Sequence, residues 1–543
     1  MKKIMEILKF TNGLVKRRHR VCMALSCIAE AVFAVLLLYV ANEFLLVFGG
    51  LTSSSEVTEI SDTYQKLYLY VAVLIVSFFI QIFSQYFSKM YQKHLLLSIK
   101  QAVYGKLLET KYSKITEFES AALNKRIEDD SDGVSGFVTQ VLTGLYGQMP
   151  QLIMVIIFCA MLFPILLGLS VAVAVVFIII IAVMQSIVAN LENKYRDVDA
   201  ERFSAFSRSI NNSVLVRTSQ LESFEKQRQK KYSESLIKCD SVLNKFSSAT
   251  GACANSIVNL LLLAVFISSI RGVVAGTLVS AQIISMIYAF VALLTPVMNL
   301  LSLGSSFAAG KVSYERTLEL MNLPKEADGE ENISEISSIE CRDVTFGYTK
   351  DANIINHFSS SFRRGNIYFL KGSNGSGKST ILKLISRLYD EFEGEIMLNG
   401  QQEIRNTKRN SYFPLIRLIE QDDHMDVDDI IANVNYGHDI IPLESAPEGL
   451  RDIYASLFVL QDERKLDDTS DELSGGERKK AAILRGLLME ADVYLMDEPT
   501  NSLDMNSATQ LFDYLKEIKT DKIIILAMHG DKWDMYADEV IEI

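Results

Sequence analysis

The sequence predicts an α-helical six-span transmembrane domain followed by an α/β phosphate-loop domain. Three observations predict it. Long charge-free apolar runs fill the chain up to about residue 310, short β-rich runs alternating with helices begin after residue 338, and a glycine loop ends in Gly377-Lys378-Ser379. Of the 543 residues, 49% are hydrophobic and 22% charged, with a mean hydropathy of +0.18. That is too apolar for an ordinary soluble protein, so membrane spans are sought first. A net charge of −12 gives no reason to expect nucleic acid as a partner. The six cysteines form no C-x-x-C pair, and several lie in apolar runs; they read as reduced packing thiols.

A bilayer-crossing helix needs about 20 apolar residues. Val21 to Gly50, interrupted only by Glu30 and Glu43, is the first span, and Leu67 to Ser88 is the second. Gly133 to Leu191 is too long for one span; Pro164 and Gly168 mark a turn between a third and a fourth. Phe246 to Ile270 is the fifth, and Gly272 to Gly310 contains the sixth. Lys and Arg crowd the N-terminus, the second-to-third connection and the fourth-to-fifth connection. Leu51 to Gln65 holds Glu56, Glu59 and Asp62 but no base. The positive-inside rule then puts both termini in the cytoplasm. The two long inner connections read as helix extensions meeting at tips near Thr116 to Leu123 and Ser219 to Glu225.

Polar groups inside the spans admit two readings. Glu30 either snorkels to the inner interface or faces a cavity, and Glu43 and Asn42 sit near the outer end of the same span. Gln81, Gln85, Gln148 and Gln151 either line a polar path or hydrogen-bond helix to helix.

With the membrane domain taken as 1–321, the acidic stretch 322–338 reads as a linker, and 339–543 forms the α/β domain. Candidate strands are Ile339 to Phe346, Ile367 to Leu370, Leu415 to Ile419, Val493 to Met496 and Ile523 to Ala527. Gly372-Ser373-Asn374-Gly375-Ser376-Gly377-Lys378-Ser379-Thr380 fits G-x-x-x-x-G-K-[ST] between a strand and a helix start. Its backbone N–H groups can turn toward phosphate, with Lys378 reaching the β/γ-phosphates and Ser379 holding Mg²⁺. The plain alternative is a glycine-rich turn. Val493 to Met496 is an apolar run ending in Asp497, suited to Mg²⁺, and Glu498, suited to polarising an attacking water. Leu473-Ser474-Gly475-Gly476-Glu477 opens a helix from Arg478 to Met489, a second phosphate-binding helix start.

Taken together, the glycine loop, Leu473 to Glu477 and Asp497-Glu498-Pro499-Thr500 resemble the ATP-binding-cassette (ABC) ATPases. With six spans on the same chain, the whole resembles a half-exporter of the type I exporter fold, its second domain an α/β P-loop NTPase. The resemblance implies further sites. Tyr348 matches the aromatic that stacks on adenine, and Gln421 the glutamine that touches Mg²⁺. Asp504 matches the D-loop aspartate, and His529 the histidine that contacts the γ-phosphate. It implies ATP and Mg²⁺, with Glu498, His529 and Gln421 as catalytic residues and Mg²⁺ at Ser379, Gln421 and Asp497. It also implies a dimer with a second copy or a homologous half-transporter, in which Ser474, Gly475 and Gly476 of one chain complete the site of the other. The place implied is a bacterial cell membrane, with the cassette cytoplasmic and membrane lipid all around.

Some positions depart from the family pattern. Glu477 stands where Gln is commonest, Asn501-Ser502 replace Ser-Ala, and Asp467 to Glu472 lacks the usual acidic-valine-glycine run. No Cys/His peptidase-like domain precedes the first span, so leader cleavage by this chain is not expected. The cargo expected is a small peptide, with lipid or hydrophobic-drug export, or ATP-gated sensing, as alternatives.

Overall fold

The computed structural model describes residues 2–50, 57–118, 120–162, 187, 190, 191, 194, 195, 197–276, 280–349, 352–421, 425, 430–463 and 474–543. The turn at Pro164 and Gly168, most of the fourth span, Leu473 and the 467–472 segment lie outside the described residues. The chain divides into two compact units. One comprises residues 1–109 and 118–323, the other 110–117 and 324–543.

The first unit is helical. Lys2–Asn12 is a short helix, followed by long helices over Arg17–Gly50, Val57–Leu108, Ser120–Thr143, Glu222–Val274 and Ser280–Met321. Among the described residues five helices are long and apolar enough to cross a membrane. At 1.5 Å per residue, the 52 residues of Val57–Leu108 are far longer than the ~30 Å of a bilayer core requires. Phe78, Phe79 and Phe83 on that helix are all more than half exposed, as side chains facing lipid tails would be. Tyr91, Leu95, Ile99, Val134, Val138 and Tyr314 close a buried core between helices. Gly133 faces Ser313 and Gly310 faces Phe137 so closely that neither glycine could carry a Cβ. Small residues at crossings let helices approach where no hydrophobic drive exists in lipid.

Pro150 lacks an N–H, and the helix answers with a π-helical segment at Gly144–Gln148 before resuming at Met149–Leu162. Gly147 there rests 3.4 Å, measured from an ideal Cβ, from the Cys27 side chain. The inner turn expected near Ser219 lies between helix Ser213–Thr218 and helix Glu222–Val274, with Gln220 in the left-handed region at φ 55°.

The second unit has nine strands: β1 (Ser338–Phe346), β2 (Ile355–Arg363), β3 (Ile367–Lys371), β4 (Glu393–Leu398), β5 (Gln402–Glu403), β6 (Ile416–Ile419), β7 (Val493–Asp497), β8 (Ile523–Ala527) and β9 (Glu539–Glu542). An antiparallel sheet runs β2-β1-β4-β5, and a parallel sheet runs β6-β7-β8-β3-β9. The five strands expected are present with ends shifted by a residue at most, whereas β2, β4, β5 and β9 were not anticipated. β2 and β4 are broken by polar side chains on their exposed faces, and β9 is a short, mostly exposed edge. The parallel strands are apolar on both faces. Ile367 and Phe369 join one core with Leu484 and Leu511, and Tyr368 and Leu370 join another with Leu382 and Ile396.

Two expectations change. The 322–338 stretch is not a free linker from Pro324 onward. Its Glu331 N–H donates to Asn406 O at 3.0 Å, and Ile336 is fully buried with its N–H on Asp492 Oδ2 at 2.7 Å. Ile333 and Ile336 give this acidic strap enough apolar side chain to pack. The first inner tip begins upstream of the expected Thr116 to Leu123, at helix Tyr112–Ile115, and takes in Thr116 and Glu117. Tyr112 packs edge-on against Tyr389 at 5.5 Å, and Lys111 Nζ meets Glu391 at 2.8 Å. Ser113 Oγ also donates to Glu391 at 3.4 Å, and the Thr116 side chain hydrogen-bonds that of Tyr389.

Arg387 binds the strap to this unit. It is 1% exposed, donates to the carbonyls of Ala327, Arg405 and Thr407, and pairs with Asp390 at 3.3 Å. Arg387→Met would leave the Arg405 and Thr407 carbonyls without their side-chain donor, and Asp390 and the Ala327 carbonyl with Arg409 alone. We expect a loss of about 3 kcal/mol in the unfolding of this domain, read by calorimetry on the full chain.

Candidate functional site

Four neighbouring strands, β6, β7, β8 and β3, run parallel and end at the same edge of the sheet. Each one is followed by a segment of the site. After β3 comes the glycine loop. Gly375 and Gly377 take φ +83° and +104°, conformations that L side chains rarely adopt, and a Cβ on Gly377 would strike Ile355. Lys378 is only 6% exposed, and its Nζ donates to Gly372 O at 2.8 Å and Ser373 O at 3.0 Å. The ammonium is thereby folded into the centre of the loop. Gly377 precedes the helix Lys378–Ile385, whose N-terminal N–H groups carry partial positive charge. Ser376 Oγ is buried without a hydrogen-bond partner. An orphaned hydroxyl in a ring of N–H groups, an ammonium and a helix N-terminus fits a phosphate oxygen.

A cleft of about 470 Å³ opens over this loop. Asn374, Gly375, Gly377, Lys378, Ser379 and Thr380 form its floor, and Tyr348 its aromatic wall. The Tyr348 hydroxyl lies 3.1 Å from Thr380 Oγ1, and its ring packs edge-on against Phe346 and Tyr389. Ile354, not anticipated from the sequence, lines the cleft beside it.

After β7, Asp497 is 7% exposed. Burial pushes its carboxyl above the usual carboxylate range, opposed by a hydrogen bond with the Ser379 side chain. This hydroxyl and carboxylate are hard oxygen donors, the type Mg²⁺ takes. Among the described residues no group of three His, Cys, Asp or Glu could hold a metal unaided. Mg²⁺ usually binds through few protein groups plus phosphate and water, so Ser379 and Asp497 suit an ion that arrives with phosphates.

Glu498 stands next, with its backbone at φ +45° and its N–H held by Ala527 O at 3.1 Å. A positive φ at a non-glycine residue costs energy and often marks a working site. Gln421, two residues past β6, donates to Glu498 Oε2 at 3.1 Å, and His529, two past β8, places Nε2 at 2.7 Å from Oε1. Asn501 Nδ2 also donates to Oε2. Asn501 stood out in the sequence only as a departure; an amide three residues after Glu498 proves long enough to reach back to it. Lys479 is the other partner that sequence reading missed. It is 3% exposed and donates to Glu420 O at 2.8 Å, so the 475–487 helix grips the backbone before Gln421. As one of two adjacent lysines it reads in sequence as a solvated charge.

The remaining predicted residues are not in this cleft. Ser474 caps the helix Gly475–Leu487, which begins three residues earlier than expected. Glu477 N–H donates to Ser474 Oγ at 3.3 Å and Glu477 Oε2 accepts from Ser474 N at 2.7 Å, a reciprocal capping box in which Glu serves as well as Gln. Gly476 has no Cβ to obstruct Ser502 O, 2.7 Å from where one would be, and Gly475 also lies against Ser502. Asp504 caps the helix Met505–Ile518. The Ser507 N–H, Lys480 and the Ser507 hydroxyl hold its carboxyl well below the usual carboxylate range. Ser474, Gly475 and Gly476 thus open a helix N-terminus outside the cleft, while Glu477 and Asp504 spend their carboxylates on helix caps.

Comparison with known proteins accords with this arrangement. The ABC transporter transmembrane region matches residues 21–297, more than half of the chain, and the ABC transporter ATPase family matches residues 355–501. An "ATP-dependent lipid A-core flippase" of Photobacterium profundum is 31% identical over 257 residues, 46% of this chain and 44% of that protein. One of Haemophilus influenzae is 26% identical over 374 residues, 67% of this chain and 64% of that protein. These alignments span from under half to just under two thirds of the relatives' length. The structure of a bacterial Atm1-family ABC exporter with ATP bound superposes with a TM-score of 0.80 at 19% identity, covering 95% of this chain and 93% of that one. The fold is therefore that of an ABC exporter, and the chain belongs to the ABC transporter family, with transmembrane region and ATPase domain on one polypeptide.

Proposed function

We propose that the protein is an ATP-driven exporter that works as a homodimer by alternating access and moves a lipid or lipid-like amphiphile outward across a bacterial cell membrane. The observation that carries the dimer is the division of the phosphate-suited groups. Lys378, Ser379, Gln421, Glu498 and His529 share one cleft, whereas Ser474 to Gly476 lie on a surface outside it. A second copy supplies the missing half, so ATP sits between two cassettes and binds them together. Mg²⁺, held by Ser379, Asp497 and Gln421, would neutralise phosphate charge when bound. Glu498 takes the proton of the attacking water, while Gln421 and His529 orient the carboxylate and sense the γ-phosphate. Loss of that phosphate loosens the pair of cassettes. Driving a population from 1:99 to 99:1 needs about 5.5 kcal/mol of differential affinity.

The relatives named as lipid A-core flippases support an amphiphile over the small peptide expected from the sequence. The lysine- and arginine-rich inner connections support cytoplasmic termini and a cytoplasmic cassette.

Glu498→Gln keeps the shape of the side chain and removes its charge. Its ATP turnover falls by about 10²–10⁴-fold while nucleotide binding persists; turnover at the wild-type rate would sink the assignment. Lys378→Ala and Ser474→Arg chains are each expected to be inactive alone. Reconstituted together they restore nucleotide trapping, because a mixed dimer retains one intact composite site. Failure of the mixture to trap nucleotide counts against a shared site. In proteoliposomes with outward-facing cassettes, ATP should move a fluorescent lipid analogue between leaflets, read by dithionite quenching. Turnover without lipid movement would argue for a gate or another cargo.

A further inference from the structure

The membrane unit contains its own cavity, of about 470 Å³, between the first, second, third and sixth spans. Its lining is polar to a degree unusual within membrane spans. Glu30, Gln81, Gln85, Gln148, Gln151 and Asn299 all open into it. Glu30 lies ten residues beyond Arg20 on one continuous helix, about 15 Å along its axis, roughly half the thickness of a bilayer core. With its side chain in the lining, the cavity reading of Glu30 prevails.

The glutamines divide between their two readings. Asn299 Nδ2 donates to Gln148 Oε1 at 3.0 Å, a bond from helix to helix. Among the described residues the side chains of Gln81, Gln85 and Gln151 make no such bond, and Glu30 makes no ion pair. Amides without partners in a membrane span are costly unless they face water or cargo. The π-helical segment Gly144–Gln148 ends on Gln148 at the cavity wall, and π-bulges recur where helices serve a site. Gly147 lets this wall approach the Cys27 turn, one turn before Glu30.

Charge selects the ligand. The described lining carries one carboxylate and no Lys or Arg. A head with phosphate and no cation would meet Glu30 with no base to answer it. We propose that this cavity binds the head of an amphiphile bearing an ammonium or guanidinium group. Glu30 pairs with the cation, and the glutamine amides and Asn299 take its remaining hydrogen bonds. This rests on the amphiphile-export reading above and narrows it: a purely anionic head is disfavoured in this cavity. The same chemistry is found in an amine-bearing membrane lipid and in a soluble hydrophobic amine.

The test uses the full-length protein in nanodiscs of a galactosyl diacylglycerol and phosphatidylglycerol, whose heads carry no nitrogen, without nucleotide. Two probes share one fluorophore: dansylcadaverine, which carries an ammonium, and dansyl-labelled undecanoic acid, which carries a carboxylate. The amine probe should bind saturably and roughly tenfold more tightly than the acid. Glu30→Gln should weaken the amine probe by roughly tenfold, and Glu30→Asp should recover most of that loss. Equal affinities of the wild-type protein for the two probes would overturn the proposal without recourse to any variant. So would a well-folded Glu30→Gln protein within about twofold of wild type for the amine. Adding phosphatidylethanolamine to the discs identifies the source: competition with the probe assigns the site to lipid, and undiminished binding assigns it to the soluble amine. Because binding is read without ATP, a failed flipping assay beside an intact amine preference removes the export reading alone.

Discussion

The parallel alignment of β6, β7, β8 and β3 is the constraint on which the nucleotide site depends. Ligands in open parallel sheets gather at the carboxyl ends of the strands. Here four adjacent strands deliver Gln421, Asp497 with Glu498, His529 and the glycine loop to one edge. The register explains the closeness: Asp497 pairs with Ala527, and Leu370 pairs with the same residue from the other side. A one-residue slip in any strand would turn its last side chain to the opposite face and break the constellation. The apolar packing on both faces of the sheet therefore maintains the geometry of the chemistry, although of the residues in these two clusters only Ile354 lines the cleft.

Around that edge, polar groups are arranged so that each position is set by another. Lys479 holds the backbone before Gln421, Gln421 and Asn501 reach the same oxygen of Glu498, and His529 takes the other. The strained backbone of Glu498 is tolerated because Ala527 and these side chains over-determine it.

The glycine loop, Asp497-Glu498 and the signature helix start were readable because their chemistry demands rare residue types at short fixed spacing. Tyr348, Gln421 and His529, which line the cleft, were singled out only by resemblance, since a lone residue carries little signal by itself. Asn501 and Lys479 could not be read, because a loop amide and a helix lysine look alike whether they serve a site or face water. The strap from Pro324 to Ser337 failed as a linker for a related reason. Its two isoleucines are too sparse to show a period, yet they suffice to pack once Arg387 and the 404–411 turn are in place. The inner tip begins a few residues before the stretch expected, because Tyr112 and its neighbours, and not only the polar turn after them, meet Tyr389 and Glu391. In the membrane unit, hydropathy marked the spans, but not which polar side chains share a cavity. That depends on helix rotation, which the apolar runs leave undetermined.

The composition of the membrane cavity has an electrical consequence. Glu30 and uncharged amides, with no base among the described lining residues, leave a cationic cargo as the one they can neutralise. A cell membrane that is negative inside pulls such a cargo inward, with work of about 2.3 kcal/mol per elementary charge per 100 mV. The pump would then work against the membrane voltage as well as any concentration gradient, and each outward stroke would be harder in an energised cell than in a depolarised one. A carboxylate in a membrane cavity thus bears on how much of the ATP-derived driving force would be left for concentrating the cargo.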